Sequence, residues 1–127
     1  AYERAQATHA MQQQAEMLRS ARDTNTTAGG ETWDQVLNRL TVSEPSFDCR
    51  DANLANLDRP NAFYIEEDGN SFSVVDDISQ QELFHIWVEG VDRSNEHADF
   101  FIWGCWENLG GSENQQSGLV TRLEKEL

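Results

Sequence analysis

Asp99-Phe100-Phe101-Ile102-Trp103-Gly104-Cys105-Trp106-Glu107 is apolar on both alternating registers. In an extended strand successive side chains point to opposite faces, so Phe100, Ile102 and Trp106 share one face, with Gly104 between them. Phe101, Trp103 and Cys105 take the other. Leu83 to Val91 repeats the pattern, with Phe84, Ile86 and Val88 on one side and Trp87 on the other. A strand pair apolar on both faces is central and covered on both sides, which a sheet with one solvated face does not require. Something helical must cover one of them.

Working outward, Phe63-Tyr64-Ile65-Glu66-Glu67, then Asp68-Gly69-Asn70, then Ser71-Phe72-Ser73-Val74-Val75 reads as a β-hairpin, because Gly and Asn tolerate the positive φ of tight turns. Gly118 to Leu123 is a fifth strand. Upstream, residues 1–22 contain neither Gly nor Pro and are rich in Ala, Gln, Met, Glu and Arg, all good helix formers. Ala7, Ala10, Met11, Leu18 and Ala21, with Met17 beside them, draw one narrow apolar stripe at three- and four-residue spacings. Gln12, Gln13, Glu16 and Arg19 fall mostly off it. The start carries no capping signal, so the helix is expected to continue upstream of Ala1, which reads as a processed or truncated end. Asp23 to Gly30 ends the helix as a loop. Thr32, with Gln35 three residues on, caps a short helix over 32–40 whose face is Trp33, Val36, Leu37 and Leu40, and Pro45 closes it. The expectation is one α+β domain over 1–127: a long N-terminal helix (1–22), a connector (23–62), and an antiparallel sheet of four to five strands (63–127).

Composition narrows the function. The chain of 127 residues carries 23 acidic and 9 basic side chains, a net charge of −14. Binding to phosphate backbones needs Lys and Arg to displace counterions, and Lys125 is the single lysine, so direct nucleic-acid binding is not expected. Anionic membrane surfaces are disfavoured for the same reason. The charge is uneven: residues 1–45 hold 6 acids and 4 bases, residues 46–127 hold 17 acids and 5 bases. The first third is a packing element and the remainder a densely anionic body. No run reaches the roughly 18 apolar residues of a membrane span.

Cys49 and Cys105 are compatible with a disulfide in an exported protein, which on the chain-entropy view would stabilise by about 4 kcal/mol. The alternative is two buried free thiols. His9, His85 and His97 fall at no ligand spacing, and no catalytic or metal site and no cofactor is expected. Glu66-Glu67-Asp68 and Asp76-Asp77 could face each other across the hairpin around Ca²⁺, but they lack alternating ligand spacing and read as a solvated rim. No Gly-Xaa-Ser-Xaa-Gly, phosphate loop or Cys-His pair is present. Trp87 and Trp103 alternate among apolar residues and read as core. Trp106, near its strand end, is the aromatic expected to be exposed as a contact for sugar or peptide. Asn25-Thr26-Thr27 matches the glycosylation pattern, a triplet common by chance.

Three stretches carry a resemblance: Ala5-Gln6-Ala7 through Ala15-Glu16-Met17-Leu18-Arg19-Ser20-Ala21-Arg22-Asp23-Thr24-Asn25 followed by Trp33; Arg59-Pro60-Asn61-Ala62-Phe63-Tyr64; and Phe100 to Glu107 with a Gly-rich turn and Leu119-Val120-Thr121-Arg122-Leu123. Together they are similar to the helix end, first strand and closing strand pair of type IV pilin-like proteins, in particular the soluble domain of a minor pilin lacking its N-terminal hydrophobic helix. The resemblance implies a non-enzymatic structural or priming subunit of a surface filament used in adhesion, twitching motility or DNA uptake. Its implied partners are other pilin subunits in a heteropolymeric filament, with the inner membrane holding the missing helix before assembly. The isolated domain, without its assembling helix, is then expected to be a monomer at micromolar concentration. In major pilins both cysteines lie near the C-terminus, whereas Cys49 precedes the sheet, so no receptor-binding loop transfers. The alternatives are a secreted acidic carbohydrate- or peptide-binding module using Trp106, and an acidic inhibitor that mimics nucleic acid.

Overall fold

The computed structural model describes residues 2–24, 49, 53–54, 57, 59, 62–68, 71–81, 84–93, 97–107 and 113–124. The expected helix over 32–40, the Asn25-Thr26-Thr27 triplet and the Gly69-Asn70 turn lie outside them.

The order of elements is helix first and strands afterwards: α1 (Tyr2–Thr24), β1 (Tyr64–Asp68), β2 (Ser71–Val75), β3 (Ser79–Gln80), β4 (His85–Arg93), β5 (His97–Trp106) and β6 (Gln115–Glu124). The class is α+β. Instead of one sheet of four to five strands there are two antiparallel sheets, a β1-β2 hairpin and a four-stranded sheet in the order β3-β4-β5-β6. The division has a local cause. The free side of β4 is shared, with β3 pairing at His85 and Ile86, and Phe63 bridging Val88 through backbone bonds of 3.0 and 2.7 Å. Past that bridge the hairpin leaves the larger sheet. β4 and β5 run in continuous register apart from a bulge between Gly90 and Asp92, and β5 and β6 pair over ten residues without interruption.

The two faces of the four-stranded sheet close two separate cores. On one, Phe84, Ile86, Val88, Phe100, Ile102, Trp106 and Leu123 meet Ala7, Met11, Ala15 and Leu18 of α1, while Ala10 and Met17 are partly buried at the margin. Ala21 also lies on α1. The helix spans about 35 Å at 1.5 Å per residue. Its close approach depends on Gly104, where a Cβ would lie 2.8 Å from the Met11 sulfur and 3.8 Å from the Ala7 methyl. Phe63 meets Phe100 edge-on at 6.3 Å and ties the hairpin into this core.

On the other face, Trp87, Trp103 and Cys105 meet Cys49, Leu54, Ala62 and Ile78. Connector residues, rather than a helix, cover this side among the described residues. Cys49 and Cys105 form a disulfide across 56 positions of sequence. The expectation for Trp106 is corrected here. It is only 4% exposed and lies in the helix-facing core, because it shares the face of Phe100 and Ile102 and α1 covers that face to its end. The Ca²⁺ alternative for the hairpin acids has no facing carboxylates, since Asp68 lies opposite Ser71 and Glu66 opposite Ser73, with Asp76 and Asp77 beyond the far end of β2.

Candidate functional site

Three constellations carry polar chemistry. The first joins α1 to the hairpin through Gln14, which is buried at 4% exposure. Its Nε2 donates to the Ile65 carbonyl at 2.9 Å, and the Ile65 N–H donates to its Oε1 at 3.0 Å. The side-chain amide thus substitutes for a neighbouring strand and closes the outer edge of β1, whose backbone groups would otherwise be buried unpaired.

The second sits on the opposite sheet face. Glu89 is 1% exposed and accepts a two-pronged bond from Arg59, Nε to Oε1 at 2.7 Å and a terminal nitrogen to Oε2 at 2.9 Å. The Trp87 indole N–H donates to the same Oε1 at 2.9 Å. A buried carboxylate is tolerable only when so satisfied, and the cluster anchors the connector at Arg59 onto β4. Beside it, the Cys49 N–H donates to Gln116 Oε1 at 2.8 Å and Asn114 Nδ2 donates to the Cys49 carbonyl at 2.9 Å. Two amides at the start of β6 therefore hold the peptide that carries the disulfide. His85 on β4 lies directly opposite Cys105 on β5. Burial pushes its imidazole below the ordinary 6.5, against a smaller upward pull from Glu107, and its Nδ1 has no hydrogen-bond partner among the described residues. It stays neutral through a wider range than a solvated histidine.

The third is an open groove of about 1620 Å³ between α1 and the place where the two sheets diverge. Ala10, Met17, Ile65, Phe84 and Ile86 contribute apolar lining, Gln6, Gln13, Gln81 and Ser79 polar lining, and Glu16 and Glu66 carboxylates, and among the described residues no Lys or Arg lines it. Ser79 Oγ accepts from Gln81 Nε2 at 2.8 Å, and Glu16 pairs with Arg19 at 3.1 Å. At the rim, burial and then the carboxylates of Glu66 and Asp77 raise the Tyr64 hydroxyl above its ordinary 10.0, so it remains a neutral phenol. The lining thus mixes amide, carboxylate and apolar groups. Among the described residues no three His, Cys, Asp or Glu groups converge as for a metal ion.

Of the residues singled out from the sequence, Ala7, Met11 and Leu18 converge in the helix-side core, Cys49 and Cys105 join, and Trp106 is withdrawn from solvent. Gln14, Glu89 and Gln116 were not singled out from the sequence, and Arg59 entered only as part of the resemblance. For Glu89 a signal existed: two positions after Trp87 on an apolar face, an acid calls for a buried partner. Comparison with protein-family models, with curated proteins and with solved structures finds no match. Among the described residues no helix is long and apolar enough to cross a membrane.

Proposed function

We propose that the chain is a non-enzymatic structural or priming subunit of a surface filament of the type IV pilin-like kind. The observation that supports this reading is the division of labour along α1. One stripe, Ala7, Met11, Ala15 and Leu18, is buried against the sheet, while Thr8, His9, Gln12, Gln13, Glu16 and Arg19 remain exposed on a helix of 23 residues. A helix so arranged can serve its own core and present its outer side to neighbouring subunits. The anionic body then faces solvent, consistent with a filament whose surface resists non-specific association. The partners in this reading are further pilin-like subunits, and the inner membrane holds the subunit before assembly.

The test is the sequence encoded upstream of Ala1. A run of about 20 apolar residues with a Glu near its start supports the reading. A short secretory leader with no such run contradicts it.

The groove favours a second reading, a secreted acidic module that binds peptide or carbohydrate. With Trp106 in the core, this alternative rests on the amide-lined cleft beside α1. Chemical-shift mapping with neutral oligosaccharides and peptides would support it by perturbing Gln13 and Gln81, and perturbation elsewhere would dismiss it.

A further inference from the structure

We infer that the outer edge of β6 is a self-association surface, at which two copies of this chain join their four-stranded sheets by antiparallel β6–β6 pairing. The strand runs ten residues in unbroken register with β5, with no bulge and no proline along it. Edge strands of this length are normally blunted by lysine, proline, bulges or a covering segment, because their outward N–H and C=O groups template another strand. Among the described residues no such device is present over 117–121, and none bonds to the outward side of Ser117, Gly118, Leu119, Val120 or Thr121. Val120 is 56% exposed, the one large hydrophobic side chain exposed among the described residues.

The strand's own register selects the occupant, and charge does not oppose it along the edge. The chain carries −14, yet Gln115–Glu124 holds one base and one acid in sequence and no ionisable side chain over 117–121, and Arg122 is already paired with Asp99 of β5. A second copy is repelled from a strongly anionic body but meets no like charge along this strand. Antiparallel pairing about Leu119 places each copy's Val120 opposite the other's Gly118. There the absent side chain leaves the strand surface to the Phe101 ring, whose Cε1 would be 2.4 Å from an added Cβ. The exposed valine thus gains an aromatic neighbour across an isologous two-fold interface. This inference uses the sheet edge alone and is independent of the filament reading, which uses α1.

The general repulsion makes the association salt-dependent in an unusual direction. At about 0.01 M salt the Debye length is about 30 Å and the copies repel, whereas at about 1 M it is about 3 Å and the neutral edge decides. Sedimentation equilibrium of the intact, oxidised chain up to millimolar concentration should show a monomer at low salt and a monomer–dimer equilibrium at high salt. Val120→Lys and Ser117→Lys should each weaken the dimer at least tenfold, with melting temperatures reporting that the fold is kept. A monomer at every concentration and salt overturns the inference. So does a dimer that neither substitution weakens, since it would use another surface.

Discussion

Gln14 and Glu89 show how much of this fold rests on single polar side chains inside apolar surroundings. Replacing Gln14 by Leu keeps the volume but leaves the Ile65 N–H and C=O unpaired, which should destabilise by about 2–4 kcal/mol in urea unfolding. Arg59→Ala strands the Glu89 carboxylate in the interior and should cost about 3–5 kcal/mol, more than Arg59→Met combined with Glu89→Leu, which removes both charges. If the single and double variants unfold at the same denaturant concentration, Glu89 is not the buried anion described. Both sat on a period, Gln14 three residues after Met11 and four before Leu18, Glu89 two after Trp87, but periodicity does not say which partner a buried polar group meets. Gln14 belongs to a run of three glutamines, and its helical phase with Met11 and Leu18 separates it from exposed Gln12 and Gln13, whereas its partner on β1 is set by non-local structure.

At the scale of elements, the contact between α1 and β5 is set by a missing side chain. Gly104→Val would press against Met11 and Ala7, with an expected loss of about 1–3 kcal/mol from overpacking. Leu18→Ala, at the other end of the buried stripe, should cost about 2–5 kcal/mol through the cavity it leaves. Both are read by thermal or urea unfolding, and a neutral Leu18→Ala would mean that α1 does not seal the sheet. These elements were largely legible: the two-faced alternation of β4 and β5 announced a central pair, and the Ala-Met-Leu spacing announced the face that covers one side. The division into two sheets was not, because it depends on Phe63 meeting Val88 and on a β3 of two residues, too short to carry a period. Trp106 was misread for a related reason. Its position at the strand end suggested an edge, but exposure there is decided by how far α1 extends, a non-local quantity.

For the whole molecule, pH and redox state act on the joints between layers. The folded-state pKa of His85 lies below 6.5, so below that pH the unfolded chain binds the proton first and stability falls as pH drops through 6.5. For Tyr64, raised above 10.0, the unfolded chain loses its proton first, and stability falls as pH climbs past 10.0. Unfolding curves between these limits should therefore be flattest near neutrality, and His85→Gln should reduce the acid-side slope. Reducing the Cys49–Cys105 bridge frees a loop of 56 positions and should lower stability by about 4 kcal/mol on the chain-entropy view. The net charge of −14 sets an expectation against anionic partners, and the strands show where along the fold that charge is absent.

The proposed role of α1 is tested most directly by placing a photo-crosslinking residue at exposed Gln13 in the cells that make this protein and shearing their surface. The account predicts a ladder of covalent multimers in the sheared filament fraction. A chain that is missing from that fraction, or that crosslinks to no other subunit there, would contradict it.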